Sequence, residues 1–255
     1  MRFFTESIYY DYRLRFFRIN KLVKRIMKVN EAYEFIRQSI VKIETPQGSG
    51  TGFLVSNGKN NEICGIATAS HVIHHAHLWQ EPIRISHEAS QKSKFLHHTE
   101  RAVISDPSAD IGSIVFARDD IGFPETPVAI TPPDRYIKIG TEVCWIGYPA
   151  VINQPLCLFS GKISYWMQNE KAYLIDGVAI NGVSGGPVFA VFEKAIMIIG
   201  IVAAYIPNRA TGEALPGLCI ACDVTYLHDE INKFKNIDEA KEEEAEEENQ
   251  ANQPE

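Results

Sequence analysis

The sequence is short of cysteine, of long apolar runs and of net charge through its middle, and each shortage removes a class of protein. Its 255 residues hold five cysteines, an odd number without a disulfide framework, which points to a reducing, cytoplasmic compartment. Cys64, Cys144 and Cys157 sit in apolar runs and read as small buried hydrophobes. Cys219-Ile220-Ala221-Cys222 lies in a β-like run whose alternation sends the two thiols to opposite faces, so it suits neither a redox pair nor half of a zinc site. No apolar run approaches the ~20 residues that a membrane-spanning helix needs.

The formal charge is −7, but residues 1–26 carry +5 and residues 238–255 carry −8, leaving only −4 between them. That mild acidity argues against a nucleic-acid partner. Residues 1–26 mix aromatics with seven Lys and Arg and lack the uninterrupted apolar core and cleavage site of a signal peptide. They read either as a basic helix making peripheral membrane contact or as sequence upstream of a true start at Met27. Residues 238–255 are too acidic and too polar to bury a core, and are expected to be disordered. His74, His75 and His77 have no companion ligand set at recognisable spacing, so they read as solvent-facing loop residues and no metal is expected.

With 45% hydrophobic and 22% charged residues, what is there is ordinary globular chain, enough for one large or two small cores. A short helix is expected over Asn30–Arg37, from an N-cap candidate followed by early acids. Six short β-runs follow: Ile40–Glu44, Thr51–Val55, Ile63–Thr68, Ile83–Ser86, Ala102–Ser105 and Ile111–Phe116. The polar, proline-bearing stretch 121–135 makes a linker. Six more runs follow it: Glu142–Gly147, Leu156–Trp166, Lys171–Ile175, Pro187–Phe192, Ala195–Ala204 and Leu218–Asp223. Tyr226–Lys235 is expected to be a terminal helix. The chain therefore divides into an extension (1–26), a first β unit with its leading helix (27–120), the linker (121–135), a second β unit (136–225), a helix (226–237) and the acidic tail (238–255).

The second unit carries Gly182-Val183-Ser184-Gly185-Gly186-Pro187, a serine among residues poor in side chain and rich in backbone donors, as an acyl-transfer nucleophile requires. A serine so used needs a base and a group to orient that base. Thr68-Ala69-Ser70-His71-Val72 ends an apolar run and offers the base, and Asp110 opens the run Ile111-Gly112-Ser113-Ile114-Val115 and offers the acid. Asp106 competes for the acid role but no apolar strand follows it. The serine segment also satisfies the G-x-S-x-G elbow of α/β-hydrolases, with Asp223 and His228 in that family's order. An elbow serine opens a helix, however, whereas Pro187–Phe192 is β-rich.

With Gly48-Ser49-Gly50-Thr51-Gly52-Phe53 upstream, these motifs in the order His, Asp, Ser make the chain resemble the chymotrypsin-like serine peptidases, and their bacterial Deg-type branch most, over about residues 40–224. The resemblance implies an all-β fold of two six-stranded antiparallel barrels with the site in the crevice between them. It implies Ser184 as nucleophile, His71 as base, Asp110 as its orienting acid, and an oxyanion hole made by the N–H groups of Gly182 and Ser184. It implies a polypeptide substrate, no cofactor, and a substrate pocket built from Val178, Ile180, Asn181, Ile201, Val202 and Ala203. No carboxylate stands among those residues, so small or medium aliphatic side chains are expected at the cleaved position. Two departures stand out. The cysteine that staples the histidine loop in the digestive relatives is replaced by Val72, and Val183 takes a position where relatives commonly carry Asn, Asp or Met. The stiffness of that β-branched residue leaves a peptide-binding or regulated pseudo-peptidase as the alternative. No PDZ-like continuation is expected after the second barrel.

Overall fold

A computed structural model describes residues 27–58, 62–133, 135–151, 154–192, 195–207, 214–236 and 240. The basic extension and nearly all of the acidic tail lie outside the described residues. Helix α1 (Val29–Ile36) leads through a 3₁₀ turn, Arg37–Ser39, into β1 (Ile40–Thr45). β1 hairpins with β2 (Gly48–Asn57), which pairs with β3 (Ile63–Ala69). After helix α2 (Ser70–Leu78) come β4 (Ile83–His87), β5 (Ser93–Leu96), β6 (Arg101–Asp106) and β7 (Ile111–Ala117). The second half contributes β8 (Glu142–Gly147), β9 (Cys157–Met167), β10 (Ala172–Asp176), β11 (Pro187–Phe192), β12 (Ala195–Pro207) and β13 (Ala214–Asp223). A last helix, α3, covers residues 225–236.

The strands form two antiparallel bodies. β10-β13-β12-β11-β8-β9 close into a six-stranded barrel, while β5-β4-β1-β2-β3-β7-β6 form a seven-stranded sheet that stays open. The chymotrypsin-like pair of β units is therefore present, with one barrel replaced by a curled sheet. The seventh strand is β5, whose exposed Phe95 leaves Leu96 as its one buried apolar residue. Arg101 stands where the sheet fails to close. Its guanidinium donates to the carbonyls of Leu96, Ala76 (3.1 Å) and Glu81 (2.6 Å), tying the start of β6 to the end of β5 and to the end of α2.

Each body buries its own core, Ile43, Leu54, Ile66, Ile85 and Ile114 in the sheet and Trp145, Tyr173, Ile175, Val188 and Ile199 in the barrel. A third cluster seals them together, joining Ile40, Phe53 and Ile111 of the sheet to Ile146, Phe189 and Ile201 of the barrel, with Ile36 of α1 and Leu227 of α3. Fully buried aliphatic and aromatic side chains each contribute roughly 1.5–3 kcal/mol, so this seam holds the two bodies, and whatever lies between them, in fixed relation. Cys219 faces the barrel core and Cys222 faces the seam, as strand alternation requires.

The histidine-rich stretch is a helix and not a loop. In α2, Ile73 and Ala76 are buried one turn apart while His77 is exposed, and His75 Nδ1 lies 3.1 Å from Glu81 Oε2. Two apolar residues buried one turn apart outweigh the modest helix propensity of histidine.

Candidate active site

His71 is the second residue of α2, immediately after β3 ends at Ala69. That junction is pinned from several sides. Ser70 N–H donates to Asp110 O (3.1 Å), Ser70 Oγ lies 2.8 Å from Ser105 Oγ, and Thr68 Oγ1 donates to Thr51 O (2.7 Å). Behind the histidine, the two methyls of Val72 pack onto Gly50 of β2 so closely that a Cβ there would stand 2.7 Å from both. The position that a disulfide staples in the digestive relatives is thus filled by an apolar contact that needs glycine opposite it.

Asp110 sits in the turn between β6 and β7 with φ +52°, a left-handed conformation that aspartate tolerates better than most residues. The turn is held by Asp106, whose Oδ1 accepts from Ser108 N (2.9 Å), Ser108 Oγ (2.6 Å) and Ala109 N (3.3 Å). Those bonds, led by the Ser108 hydroxyl, hold the Asp106 carboxyl below its usual range. The competing acid is therefore structural, and it aims Asp110. The Asp110 carboxylate accepts His71 N–H (3.0 Å) and lies 2.9 and 3.1 Å from His71 Nδ1, an arrangement that fixes the ring and leaves Nε2 to face outward.

The serine segment is organised by its backbone. Five successive carbonyls are engaged: Ile180 by Val183 N (3.0 Å), Asn181 by Ala150 N (2.6 Å), Gly182 by Thr51 Oγ1 (2.9 Å), Val183 by Gly186 N (3.0 Å) and Ser184 by Thr51 N (2.8 Å). Among the described residues no acceptor lies within hydrogen-bonding reach of the N–H groups of Gly182 and Ser184. Gly182 and Gly185 have φ of +90° and +86°, and a Cβ on either would collide with backbone, Tyr148 O in the first case and Thr51 O in the second. Val183 is fully buried in the barrel core. Its stiff side chain anchors the loop from below.

His71, Asp110 and Ser184 meet at a cavity of about 240 Å³ lined also by Ala179, Ile180, Asn181, Val202 and Ala203. Ser184 Oγ lies 3.5 Å from Ala203 O. Of the pocket residues expected from the sequence, Ile180, Asn181, Val202 and Ala203 line this cavity. Val178 and Ile201 do not. Ile201 is buried in the seam cluster, and Val178 is exposed on the approach to the loop. Ala179, within the expected segment 178–181, lines the cavity as well. Asp176 ends β10, exposed and away from this cavity. Thr51, which the sequence marks only as a member of the Gly48–Phe53 motif, touches Gly182, Ser184, Thr68 and Tyr148 at once. Asp223 and His228 do not join the serine: Asp223 accepts from Tyr173 Oη (2.8 Å) and Thr225 N (2.7 Å), and His228 Nε2 lies 2.7 Å from Thr131 O.

Residues 50–197 match the model of the trypsin-like peptidase domain. This chain belongs to that family, and it is a serine peptidase acting on polypeptides. Solved structures share the fold at low identity. Rv3671c from M. tuberculosis H37Rv, in an inactive form, superposes with a TM-score of 0.56 at 17% identity over 83% of this chain and 96% of that one. The serine endoprotease from Yersinia pestis gives 0.60 at 18% over 82% and 67%. Deg5 gives 0.57 at 18% over 80% and 94%. No curated protein sequence matches the chain significantly. Among the described residues no helix is long and apolar enough to cross a membrane.

Proposed function

We propose that this peptidase works through Ser184, His71 and Asp110 by way of an acyl-enzyme. His71 Nε2 takes the Ser184 proton as Oγ bonds to the scissile carbonyl carbon. The resulting oxyanion is met by the N–H groups of Gly182 and Ser184, and His71 returns the proton to the leaving amine as the C–N bond breaks. Water then repeats the sequence and releases the acid. Asp110 holds the ring with Nδ1 protonated and stabilises the imidazolium. The observation that carries this reading is the pair of unengaged N–H groups beside Ser184, in the cavity that also holds the His71–Asp110 pair. Donors held in place in this way act on developing charge without reorganising, and removing one costs ~10²–10³ in turnover.

Ala179, Ile180, Val202 and Ala203 give the cavity apolar walls, and its only carboxylate among the described residues, Asp110, is engaged by His71. An unpaired Lys or Arg would be strongly disfavoured there, so cleavage after small or medium aliphatic residues is the matching specificity. The five cysteines are free, and burial pushes the thiols of Cys64, Cys219 and Cys222 up to about 12, so they do not compete as nucleophiles. Free thiols suit a reducing compartment, and a disulfide trapped from cells would overturn that assignment.

The test is labelling by a fluorophosphonate. The wild type should label at Ser184, while Ser184→Ala and His71→Ala should not. A folded wild type that fails to label would favour a peptide-binding module instead.

A further inference from the structure

Outside the reacting groups, the segment after β8 does more than connect strands. Tyr148-Pro149-Ala150 runs directly beneath the serine loop. Gly147 has no room for a side chain, since a Cβ would stand 2.8 Å from Val183 Cγ1 and 2.9 Å from Thr51 Oγ1. Ala150 N–H donates to Asn181 O (2.6 Å), and Tyr148 N–H donates to the same Thr51 Oγ1 that donates to Gly182 O. The carbonyl of Asn181 and the N–H of Gly182 belong to one peptide plane, in which they point opposite ways. Whatever holds Asn181 O therefore aims Gly182 N–H.

The strap is in turn moored to the other body of the molecule. The buried Tyr148 side chain crosses the seam and donates its hydroxyl to Glu88 Oε2 (2.8 Å), in the turn between β4 and β5. Glu88 is itself fixed by its N–H to Ile40 O (3.0 Å), and neighbouring His87 Nε2 lies 2.7 Å from Gln38 O. Burial, with the Glu88 charge beside it, pushes the phenol far above its usual range, so it stays a donor at any working pH. Pro149 stiffens the step from Tyr148 to Ala150.

We propose that the Tyr148–Glu88 hydrogen bond positions the oxyanion hole, by holding the strap whose Ala150 N–H sets the orientation of the Asn181–Gly182 peptide. Tyr148 and Glu88 are positioning residues that touch no substrate, and the proposal rests on the reading of Gly182 and Ser184 N–H as the hole. A sheet-to-barrel tether of this kind makes a backbone group in one body depend on a side chain in the other.

The experiment measures the second-order rate at which a fluorophosphonate labels Ser184, across pH, in the full chain. Phosphonylation develops charge on an oxygen that the hole must receive, so the rate reports the hole without knowledge of the natural substrate. Tyr148→Phe keeps the packing and removes the hydroxyl, and should lower the plateau rate about tenfold while leaving the pH midpoint in place. Glu88→Ala should do the same, Glu88→Gln, which still accepts a hydrogen bond, should recover most of the rate, and the double variant Tyr148→Phe/Glu88→Ala should be no slower than either single one. A wild-type rate in Tyr148→Phe would overturn the proposal, as would additive losses in the double variant or a shifted pH midpoint, which would route the effect through His71. Failure of the wild type to label would instead overturn the reading of the site, and the proposal with it.

Discussion

The open sheet and the closed barrel contribute to the site in different currencies. From the sheet come side chains: His71 and Asp110 act through imidazole and carboxylate, and their backbone serves only to aim them. From the barrel comes backbone: residues 180–184 engage five successive carbonyls, while the N–H groups of Gly182 and Ser184 make no hydrogen bond among the described residues, with glycine where a Cβ would collide. An error of chemistry in the sheet should therefore cost activity and spare the fold. An error of shape in the barrel should cost both.

The sharpest way to break that comparison is Gly185→Ala. Its φ of +86° and the collision of a Cβ with Thr51 O and Thr68 Oγ1 should lower stability by roughly 1–3 kcal/mol from backbone strain alone and abolish labelling of Ser184. Normal thermal unfolding with normal activity would erase the distinction between the two bodies. His71→Ala and Asp110→Asn are the counterpart in the sheet, expected to reduce turnover about 10³–10⁴-fold with the denaturant midpoint unchanged. A large loss of stability in either would show that the site in the sheet is structural as well.

A gentler probe lies where α3 returns from the barrel to the back of the sheet. The Glu230 carboxyl is buried there against Ser113 Oγ, with Lys233 and Asp106 nearby, and burial pushes it up to about 7. Between about 4.5 and 7 the unfolded chain gives up a proton that the folded chain keeps, so stability falls as pH rises through that window and levels off above it. The effect is at most on the order of 3 kcal/mol. Glu230→Gln should gain on the wild type in urea unfolding at pH 8 and show no advantage at pH 4, and a gain equal at both would refute the buried charge. Least of all should follow from His228→Ala, whose activity is expected within about twofold of wild type, since its ring nitrogen lies against Thr131 O and away from Ser184.

Much of this architecture could be read from the chain. The strands of the barrel alternate clearly or run apolar without a break, and His71, Asp110 and Ser184 each stand at the end of such a run, so pattern and motif coincide. What escaped reading has physical causes. β5 is four residues long with its aromatic residue outward, too short for a period of two to declare itself. In α2 the helical signal is Ile73 and Ala76 alone, diluted by histidines. Closure of a sheet depends on whether its edges meet, a long-range matter that no local pattern declares. Val178 and Ile201 looked like pocket residues because sequence neighbourhood does not reveal which face a side chain takes. The bonds of Thr51 and Ala150 to the serine loop could not be read because they join residues more than thirty positions apart.

The contact between Val72 and Gly50 also bears on how such an enzyme can be governed. A histidine fastened by a disulfide can be loosened by a thiol and refastened by an oxidant, so its activity carries an inherent redox lever. Here the fastening is a pair of methyl groups seated on a bare α-carbon. Reductants have nothing to cut at that joint, so the hold on the histidine is indifferent to the redox state around it.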